Sequence, residues 1–411
     1  GLPTYYLAWT TTPWTLTSNL ALAVGDSFDY CAVEHNGEAL ILAEALVPKY
    51  KKEFGEEPKI LKKIKGKDLV NKTYDPVLPY FKEAKDEGCF RILAGDFVSL
   101  EDGVGIVHLA PAFGEDDYWL CKRNGIGVKN PVNAAGEFTE EVSDFSNTYV
   151  HEANKEIIRK LKEEEKVLKQ DTLEHNYPHC WRCRNPLIYR AMDAWYFNVE
   201  KIKDKLVKNN EEINWVPATV KYGRFGKWLE GARDWNISRS RFWGTPIPVW
   251  ECQGCDCREI LGSIDEIEQK TGTRPKDLHK EHLDPLQIKC EKCSEMMVRV
   301  PEVLDCWFES GSMPYGQCHY PFENKEWFES HFPADYIVEY PGQLRGWFYY
   351  LHVLSTALFD RPAFRNSVVH GTLLAEDGSK ISKSKKNYTD PMELIDNYGA
   401  DALRVYLLSS P

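Results

Sequence analysis

The stretch that decides the fold lies in three segments: Asp335–Glu339 (DYIVE), Arg345–Phe359 (RGWFYYLHVLSTALF) and Asn366–His370 (NSVVH). The two short runs are rich in β-branched residues and predict strands, whereas the largely apolar segment between them predicts a helix. About 25 residues separate the strands, which suits the crossover of a parallel βαβ unit. Further helices are predicted at Pro391–Asn397 and Ala402–Leu408. This part of the chain is therefore predicted to be α/β with a parallel sheet.

The first third of the chain shows a different pattern, with short β-rich runs flanked by turn residues. Strands are predicted at Thr4–Trp9, Ala39–Ala43 and Val104–Ala110. The charged stretch 49–67 predicts a solvated surface insertion. Glu152–Lys169 predicts a surface helix, because its apolar residues recur at helical spacing among Lys and Glu. We expect a domain boundary directly after this helix.

Composition and charge limit the class of protein. A length of 411 residues suggests two to three domains, and the 43% hydrophobic and 28% charged residues are ordinary for globular chains and argue against disorder or a coiled coil. No apolar run of about 18 residues occurs and no basic, then apolar leader follows Gly1, so we expect no membrane span and a cytoplasmic monomer. The net charge of −12 gives no overall basic surface for nucleic acid, although a local basic face is possible.

Six of the 12 cysteines form three Cys-x-x-Cys pairs: Cys180 with Cys183, Cys252 with Cys255, and Cys290 with Cys293. The second and third pairs are separated by 34 residues, and four thiolates in two such pairs suit a tetrahedral structural zinc ion. Free thiols are the alternative, because the intervening segment is longer than in the usual zinc ribbon. The first pair is left without a partner pair, so Cys180 and Cys183 are predicted to be a metal half-site.

A lysine loop follows the second predicted strand. Its residues are Lys380, Ile381, Ser382, Lys383 and Ser384, and the turn-forming Asp377-Gly378 precedes it. Two ammonium groups at positions i and i+3, with small hydroxyls between them, can bind a phosphate chain and stabilise the charge that develops during its transfer. The alternative is a solvated basic loop without a ligand.

This lysine loop resembles the Lys-Met-Ser-Lys-Ser signature of class I aminoacyl-tRNA synthetases. The resemblance extends over nearly the whole chain, through the segments Arg239–Pro248, Trp307–Ser312, Gly346–Phe348 and Gly399–Arg404. It implies a multidomain protein, α/β and rich in β structure. Residues 1–175 would form a β-barrel-like editing domain, 176–300 a connective module with zinc knuckles, and 301–411 the second half of a Rossmann-like catalytic domain.

The opening segment is most similar to the isoleucine-specific branch of the family. Trp9–Thr15 (WTTTPWT) resembles its threonine-rich editing strand, and Gly105–Asp117 resembles the opposite wall of the same pocket. The resemblance implies that Asp117 holds the α-ammonium group of the substrate. It assigns the positioning of the aminoacyl ester and the attacking water to Thr10, Thr11, Thr12, Asn19 and His108. Taken alone, the threonines are more often part of an ordinary strand, His108 is more often a core histidine, and Asp117 could be a helix N-terminal acid. The two segments together favour a site.

An amino-acid pocket is also implied by the resemblance. Trp307 and Trp347 would line it, and Glu339 and Gln343 would contact the amino acid or its adenylate. The more widespread form of the family at this place is Glu-Gly-x-Asp-Gln, whereas this chain has Glu339-Tyr340-Pro341-Gly342-Gln343. Because the Asp of the widespread form is absent here, more of the contact with the ammonium group of the amino acid is left to Glu339.

The resemblance implies an isoleucine–tRNA ligase that uses ATP and Mg²⁺, with isoleucine and the tRNA for isoleucine as partners and valine as the substrate of editing. No His-x-Gly-His loop occurs in the sequence, so we expect a fragment that does not form isoleucyl-adenylate usefully by itself, with the partners of Cys180 and Cys183 upstream of Gly1. The alternatives are a stand-alone editing deacylase, which leaves the lysine loop unexplained, and a non-catalytic zinc-ribbon module that binds nucleic acid, which the charge does not favour.

Overall fold

The computed structural model describes residues 1–174, 176–180, 183–383 and 385–409. The chain divides into two compact units, Gly1–Met192 and Asp193–Pro411. The break falls later than the expected boundary at 175/176, because the segment before it is hydrogen-bonded into the first unit: the backbone N–H of Ala191 donates to the carbonyl of Ala112 at 2.6 Å. The division into three domains stays a prediction.

The secondary structure of the first unit is mainly short strands. They are β1 Thr4–Tyr6, β2 Ala21–Val24, β3 Asp29–His35, β4 Glu38–Ala43, β5 Ile60–Lys65, β6 Arg91–Ala94 and β7 Ile106–Leu109. The α-helices are α1 Lys51–Phe54, α2 Gly66–Leu69, α3 Glu115–Arg123 and α4 Val150–Glu163, and 3₁₀ helices span Pro13–Ser18, Glu44–Tyr50, Lys82–Glu87 and Glu140–Phe145.

These strands form two sheets. The first has the order β1-β4-β3-β5, with β1 parallel to β4 and the other pairs antiparallel. The second has the order β6-β2-β7, with β2 parallel to β6 and antiparallel to β7. The three strands predicted in this region are confirmed as β1, β4 and β7, with slightly different ends.

The prediction for the charged stretch 49–67 was wrong in part. It contains helix α1 and strand β5, and β5 pairs with β3 as an edge strand. Its side chains are nevertheless mostly exposed. Lysines on an edge strand point to water while the backbone completes the sheet, so the charge pattern alone concealed the strand.

Helix α4 supports the segment that carries the threonines. It buries Val150, Ala153, Ile157 and Leu161 in the core of the first unit, as its apolar spacing predicts. It ends at Glu163, earlier than the predicted Lys169, because Glu165 adopts a left-handed backbone conformation with φ of 56°.

The second unit mixes strands and longer helices. Its strands are β8 Tyr196–Phe197, β9 Asn214–Val216, β10 Trp235–Asn236, β11 Ser238–Arg239, β12 Val249–Cys252, β13 Arg258–Ile260, β14 Ile288–Lys289, β15 Met296–Arg299, β16 Val303–Leu304, β17 Ala334–Glu339 and β18 Phe364–Val369. Its helices are α5 Lys203–Asn210, α6 Gly226–Glu230, α7 Ile264–Thr271, α8 Lys280–Leu283, α9 Cys306–Gly316, α10 Lys325–His331, α11 Trp347–Phe359, α12 Pro391–Tyr398 and α13 Ala400–Ser409. A one-turn 3₁₀ helix precedes α5, a π-helical turn precedes α6, and a 3₁₀ helix spans Pro341–Arg345.

The predicted βαβ unit is confirmed. Strand β18 lies between β17 and β9 and is parallel to both, and α11 connects β17 to β18. The helix is held on the sheet by buried aromatic residues, since Phe348 contacts both Trp215 of β9 and Phe364 of β18 with ring centroids 5.8 and 5.7 Å apart. Aromatic pairs at such distances add to the burial of apolar area that stabilises the layer.

A separate antiparallel sheet, in the order β13-β12-β15-β14, carries the cysteines of two pairs at its turns. Its small core is built around the fully buried Trp250 and Met297. Among the described residues, none of the helices combines the length and the apolar character needed to cross a bilayer.

Candidate functional site

A cavity of about 500 Å³ opens in the first unit between the threonine-rich segment and strand β7. Its walls include five of the residues that the sequence predicts to meet in one pocket, namely Thr10, Thr11, Thr12, His108 and Asp117. The sixth predicted residue, Asn19, does not line the cavity and is buried behind His108. The structure thus brings together residues nearly a hundred positions apart.

Two contacts position the threonine-rich segment. Trp9 pairs with Val107 of β7, which anchors the segment at one wall of the cavity. Beyond Pro13 the chain enters a 3₁₀ helix, and the Trp14 N–H donates to Asn154 Oδ1 of α4 at 2.9 Å. Between these anchors the Thr12 N–H donates to Thr10 Oγ1 at 3.0 Å, so the hydroxyls of a tight turn face the cavity.

His108 is the centre of a buried hydrogen-bond network. Its Nδ1 accepts from the Asn19 amide at 3.3 Å, which leaves the proton of the neutral ring on Nε2, and this N–H donates to Thr15 Oγ1 at 2.9 Å. The Thr15 hydroxyl donates in turn to the Thr12 carbonyl at 2.8 Å. Burial lowers the pKa of His108 to about 4, so the ring is neutral at physiological pH. With both nitrogens engaged, His108 orients Thr15 and is not placed to accept a proton.

Two members of this network, Thr15 and Tyr74, were missed by the sequence analysis as site residues. The Tyr74 hydroxyl donates to Asn19 Oδ1 at 2.5 Å and so fixes the amide that orients His108. Thr15 could have been found from its i+3 spacing to Thr12 across Pro13, which places two hydroxyls one turn apart. Tyr74 carries no such local signal, because only the folded chain brings it to Asn19.

Asp117 is one of three carboxylates that line the cavity, and it is less exposed than the other two, Glu101 and Asp102. It lies in the first turn of α3, and its side chain folds back over Gly114, where a Cβ would lie 2.7 Å from Asp117 Cγ. Its Oδ2 accepts the Ala110 N–H at 2.9 Å. Burial raises the pKa of Asp117 to about 6, partly offset by that N–H, while the charge of Asp116 adds to the increase. Asp117 is therefore anionic at neutral pH and can pair with a cationic group that enters the cavity.

Four thiols form a cluster in the second unit. The ligand atoms of Cys252, Cys255, Cys290 and Cys293 all lie within 4.8 Å of one another. The Sγ atoms are 3.3 Å apart for Cys252 and Cys293 and 3.7 Å apart for Cys255 and Cys290. A tetrahedral zinc ion with Zn–S bonds near 2.3 Å requires an S–S separation of about 3.8 Å, so the donor set fits zinc. The Cys293 and Lys292 N–H groups help lower the pKa of Cys290 to about 6, which favours the thiolate.

Two backbone hydrogen bonds at the remaining cysteine pair match those of one of these knuckles. The Cys180 N–H donates to the carbonyl of residue 185 and the residue 184 N–H donates to the Cys180 carbonyl, at 2.8 and 2.9 Å. Cys290 makes the equivalent two bonds at 2.8 and 2.9 Å. Cys180 therefore makes the same backbone hydrogen bonds as a cysteine of the four-thiol cluster.

Cys180 and Cys183 are predicted only as a half-site, separate from the cluster of four thiols. Cys183 is exposed, and in the part of the chain that the structure describes it does not belong to the one group of side chains close enough to share a metal ion. Cys180 is half-buried and is also outside that group. The physical reason is the number of donors, because two thiolates supply only half of the four ligands that structural zinc takes. Cys180 and Cys183 thus do not form a complete metal site here, and their role as a half-site stays a prediction.

The predicted amino-acid pocket lies at the start of α11. Gln343 Oε1 accepts the Trp347 N–H at 2.8 Å and so caps the helix, while Trp347 Nε1 donates to the Ser310 carbonyl at 3.3 Å. Gly346 allows the close approach of two partners, because a Cβ there would lie 2.5 Å from Gln343 Oε1 and 3.1 Å from Trp307. Both tryptophans and the glutamine are thus gathered at one turn, half-buried.

Glu339 is half-buried like these residues, whereas the lysines of the loop are exposed. Glu339 ends β17, and its Oε2 accepts the N–H of Tyr340 at 3.1 Å. In the loop, the side chain of Asn387 accepts the Ser382 N–H at 2.9 Å and donates to the Lys380 carbonyl at 3.2 Å, which fixes the backbone. The Lys380 and Lys383 side chains are exposed. Ser384 lies outside the described residues.

Comparison with known proteins assigns this chain to a family. The sequence model of the family described as tRNA synthetases class I (I, L, M and V) matches residues 10–411. The chain therefore belongs to the class I aminoacyl-tRNA synthetases.

Curated proteins show which members of the family this chain is similar to. The chain is 54% identical to an isoleucine–tRNA ligase of Treponema denticola, over 99% of this chain and 38% of that protein. It is 52% identical to one of Corynebacterium diphtheriae, over 99% of this chain and 40% of that protein. The chain thus spans about two fifths of the length of these relatives. A solved ternary complex of Agrobacterium radiobacter LeuRS, tRNA and LeuAMS is similar to 98% of this chain and is itself covered to 42%. The sequence identity is 18% and the TM-score is 0.35.

Proposed function

We propose that this chain is the part of an isoleucine–tRNA ligase that removes wrongly attached valine and that contributes isoleucine and phosphate contacts to the synthetic site. The observation that carries the proposal is the meeting of the threonine hydroxyls, His108 and Asp117 in one cavity. The intact enzyme would form isoleucyl-adenylate from isoleucine and ATP and transfer the isoleucyl group to its tRNA. Residues 1–175 would be the barrel-like editing domain, 176–300 the zinc-containing connective module and 301–411 the catalytic half-domain.

Editing is needed because apolar pockets discriminate weakly between similar side chains. One methylene is worth only about 1–3 kcal/mol, and isoleucine against valine is the standard example of this limit. A second cavity that admits valine and excludes isoleucine by size adds a second selection step.

The proposed hydrolysis needs no strong base on the protein. Asp117 pairs with the α-ammonium of the valyl ester and places its carbonyl carbon beside the threonine hydroxyls. A water oriented by these hydroxyls attacks that carbon, the bond to the ribose oxygen breaks, and a water proton ends on the ribose oxygen. The ester is already activated, so orientation contributes most. Neutral His108 keeps Thr15 in place during these steps.

The second unit supplies the proposed synthetic contacts. Trp307 and Trp347 offer an apolar wall for the isoleucine side chain, and Glu339 and Gln343 offer polar groups for its backbone. Lys380 and Lys383 would bind the phosphates of ATP, whose charge Mg²⁺ also neutralises when bound. The four clustered cysteines would hold a structural zinc ion, which fixes the two turns of their sheet.

The direct test is hydrolysis of valyl-tRNA carrying the isoleucine anticodon by this chain. We expect Asp117→Ala to slow the reaction by about tenfold to a hundredfold, the range for the loss of a charge-assisted hydrogen bond. Asp116→Ala is the matched control, since Asp116 is adjacent and exposed, and it should hydrolyse at the original rate. Equal loss in both variants, or hydrolysis untouched by Asp117→Ala, would contradict the proposal.

A further inference from the structure

A contact joins Tyr340, in the segment that differs from the widespread Glu-Gly-x-Asp-Gln form, to the lysine loop. Lys380 Nζ lies 4.7 Å from the centroid of the Tyr340 ring, within the range of a cation–π interaction. Among the described residues, the structure gives Lys380 no carboxylate partner. The aromatic ring is thus the group that orients this ammonium.

Gly342 makes this placement of the ring possible. A Cβ on Gly342 would lie 2.4 Å from both Cζ and the hydroxyl oxygen of Tyr340. The hydroxyl end of the ring therefore lies against the backbone of Gly342. An Asp at this place, as in the more widespread form of the segment, would displace it. The two departures, Tyr340 and Gly342, belong together: one supplies the ring and the other the space beneath it.

The backbone and the side chain of Lys380 are held by different groups. Asn387 fixes the backbone through the Lys380 carbonyl and the Ser382 N–H. These bonds do not hold the side chain of Lys380, and within the described residues the Tyr340 ring is the group that contacts its ammonium. Tyr340 directly follows Glu339, so one short segment reaches both the proposed amino-acid contact and the proposed phosphate contact.

We propose that Tyr340 is a positioning residue that holds the Lys380 ammonium in place for phosphate, ahead of nucleotide binding. The inference rests on the proposed role of the lysine loop. Pre-positioning lowers the loss of side-chain freedom when the anion binds, which strengthens binding without adding a contact to the ligand. A cation–π contact at an exposed site corresponds to about a twofold to fivefold effect.

Amine labelling tests the contact on this chain without any enzymatic activity. An acetylating reagent is applied at limiting concentration, and the ratio of labelling at Lys380 to that at Lys383 is measured by mass spectrometry. We expect Tyr340→Leu to raise this ratio about twofold to fivefold. Gly342→Ala should do the same with the ring still present, because its Cβ displaces the ring. Two control variants should leave the ratio unchanged. Tyr340→Phe keeps the ring, and Tyr336→Leu replaces an exposed tyrosine of β17.

Inorganic triphosphate then tests the purpose of the contact. It should protect both lysines from labelling, and Tyr340→Leu should raise the concentration for half-protection about twofold to fivefold, with Tyr340→Phe restoring it. An unchanged labelling ratio in Tyr340→Leu and Gly342→Ala overturns the positioning contact whatever the loop does. Altered ratios without any protection by triphosphate overturn the phosphate role and, with it, the proposed function of the loop.

Discussion

The two units of the chain build their candidate sites from opposite kinds of interaction. In the first unit, neutral side chains donate and accept hydrogen bonds in a closed network around His108, and the pocket is complete without a ligand. In the second unit, like groups are gathered: four thiols within 4.8 Å, and lysines at two positions of one loop. Groups that repel one another when charged are stabilised in such an arrangement when an ion of the opposite sign binds.

The comparison indicates what each site is built to do. A site that orients water must have its geometry fixed in advance, and a neutral, buried network provides this at any ionic strength. A site that takes up a metal or a phosphate chain gains further stability when its ligand binds. We therefore expect the two units to respond differently to removal of ligands, to loss of single side chains and to pH.

The largest expected effect is on the cysteine cluster. Removal of zinc with a chelator, or Cys290→Ser, should unfold the sheet β12–β15, because binding free energy at a structural zinc site is folding free energy. Hydrogen exchange measured by mass spectrometry should show lost protection there and unchanged protection in β1–β7. Cys257→Ser, in the same turn but outside the four, should keep one zinc per chain. A purified chain without bound zinc that is fully protected would break the comparison.

Loss of the histidine should damage the first unit with or without a ligand. His108→Ala leaves Thr15 and Asn19 without their buried partner, so we expect the free energy of unfolding to fall by about 1–3 kcal/mol. Hydrogen exchange of β2 and β7 in increasing urea, followed by mass spectrometry, would measure it, because the 13 tryptophans of the chain do not give separate fluorescence signals. His108→Gln, whose amide offers both a donor and an acceptor, is the control and should recover part of the loss. A fall below about 0.5 kcal/mol would show that the network is not what holds this wall.

Among the carboxylates that line the pocket, Asp117 has a pKa raised by burial, and this predicts a pH dependence. Asp117 has a pKa of about 6, raised by burial, so it is ionised above that pH and loses its charge below it. At pH 5 only about a tenth of the molecules carry the carboxylate, and hydrolysis of valyl-tRNA should be about tenfold slower than its plateau value. Asp117→Asn should be slow at every pH and show no step near pH 6. A step that persists in that variant would assign it to another group.

The smallest expected effect is on the lysine loop. Lys383→Ala removes an exposed side chain from a loop whose backbone is fixed by Asn387. We expect the midpoint of urea denaturation to stay unchanged, because surface substitutions away from packed features rarely alter stability. Asn387→Ala is the contrasting variant and should raise the hydrogen exchange of residues 380–383. A destabilised Lys383→Ala chain would mean that the loop, like the pocket, is held by its own side chains.

Local patterns in the sequence were sufficient for several of these features. The apolar run of α11 between two β-branched runs predicted the parallel pair β17 and β18, and the cysteine spacing predicted a cluster of four thiols. The threonine-rich segment, His108 and Asp117 were also expected in one pocket. Each of these features is encoded by residues close together in the chain or by a recognisable motif.

Features that depend on distant neighbours were not predicted. The Tyr74 hydroxyl reaches Asn19 only after the sheets form, and β5 is a strand only because β3 lies beside it. The same holds for the placement of Asn19 behind His108 and not in the wall. Side-chain hydrogen bonds of this kind leave no periodicity in the sequence, so they appear first in three dimensions.

The fold of Asp117 back onto Gly114 has a consequence for which esters the pocket would accept. A carboxylate facing a small cavity selects for a free amino group as well as for a small side chain. An ester whose nitrogen carries an acyl group has lost its positive charge and gained bulk at the same point. On the proposed function, the pocket would therefore not hydrolyse a peptidyl-tRNA or an N-blocked aminoacyl-tRNA, even one whose esterified residue is valine. Proofreading would be confined to tRNAs that carry a single free amino acid.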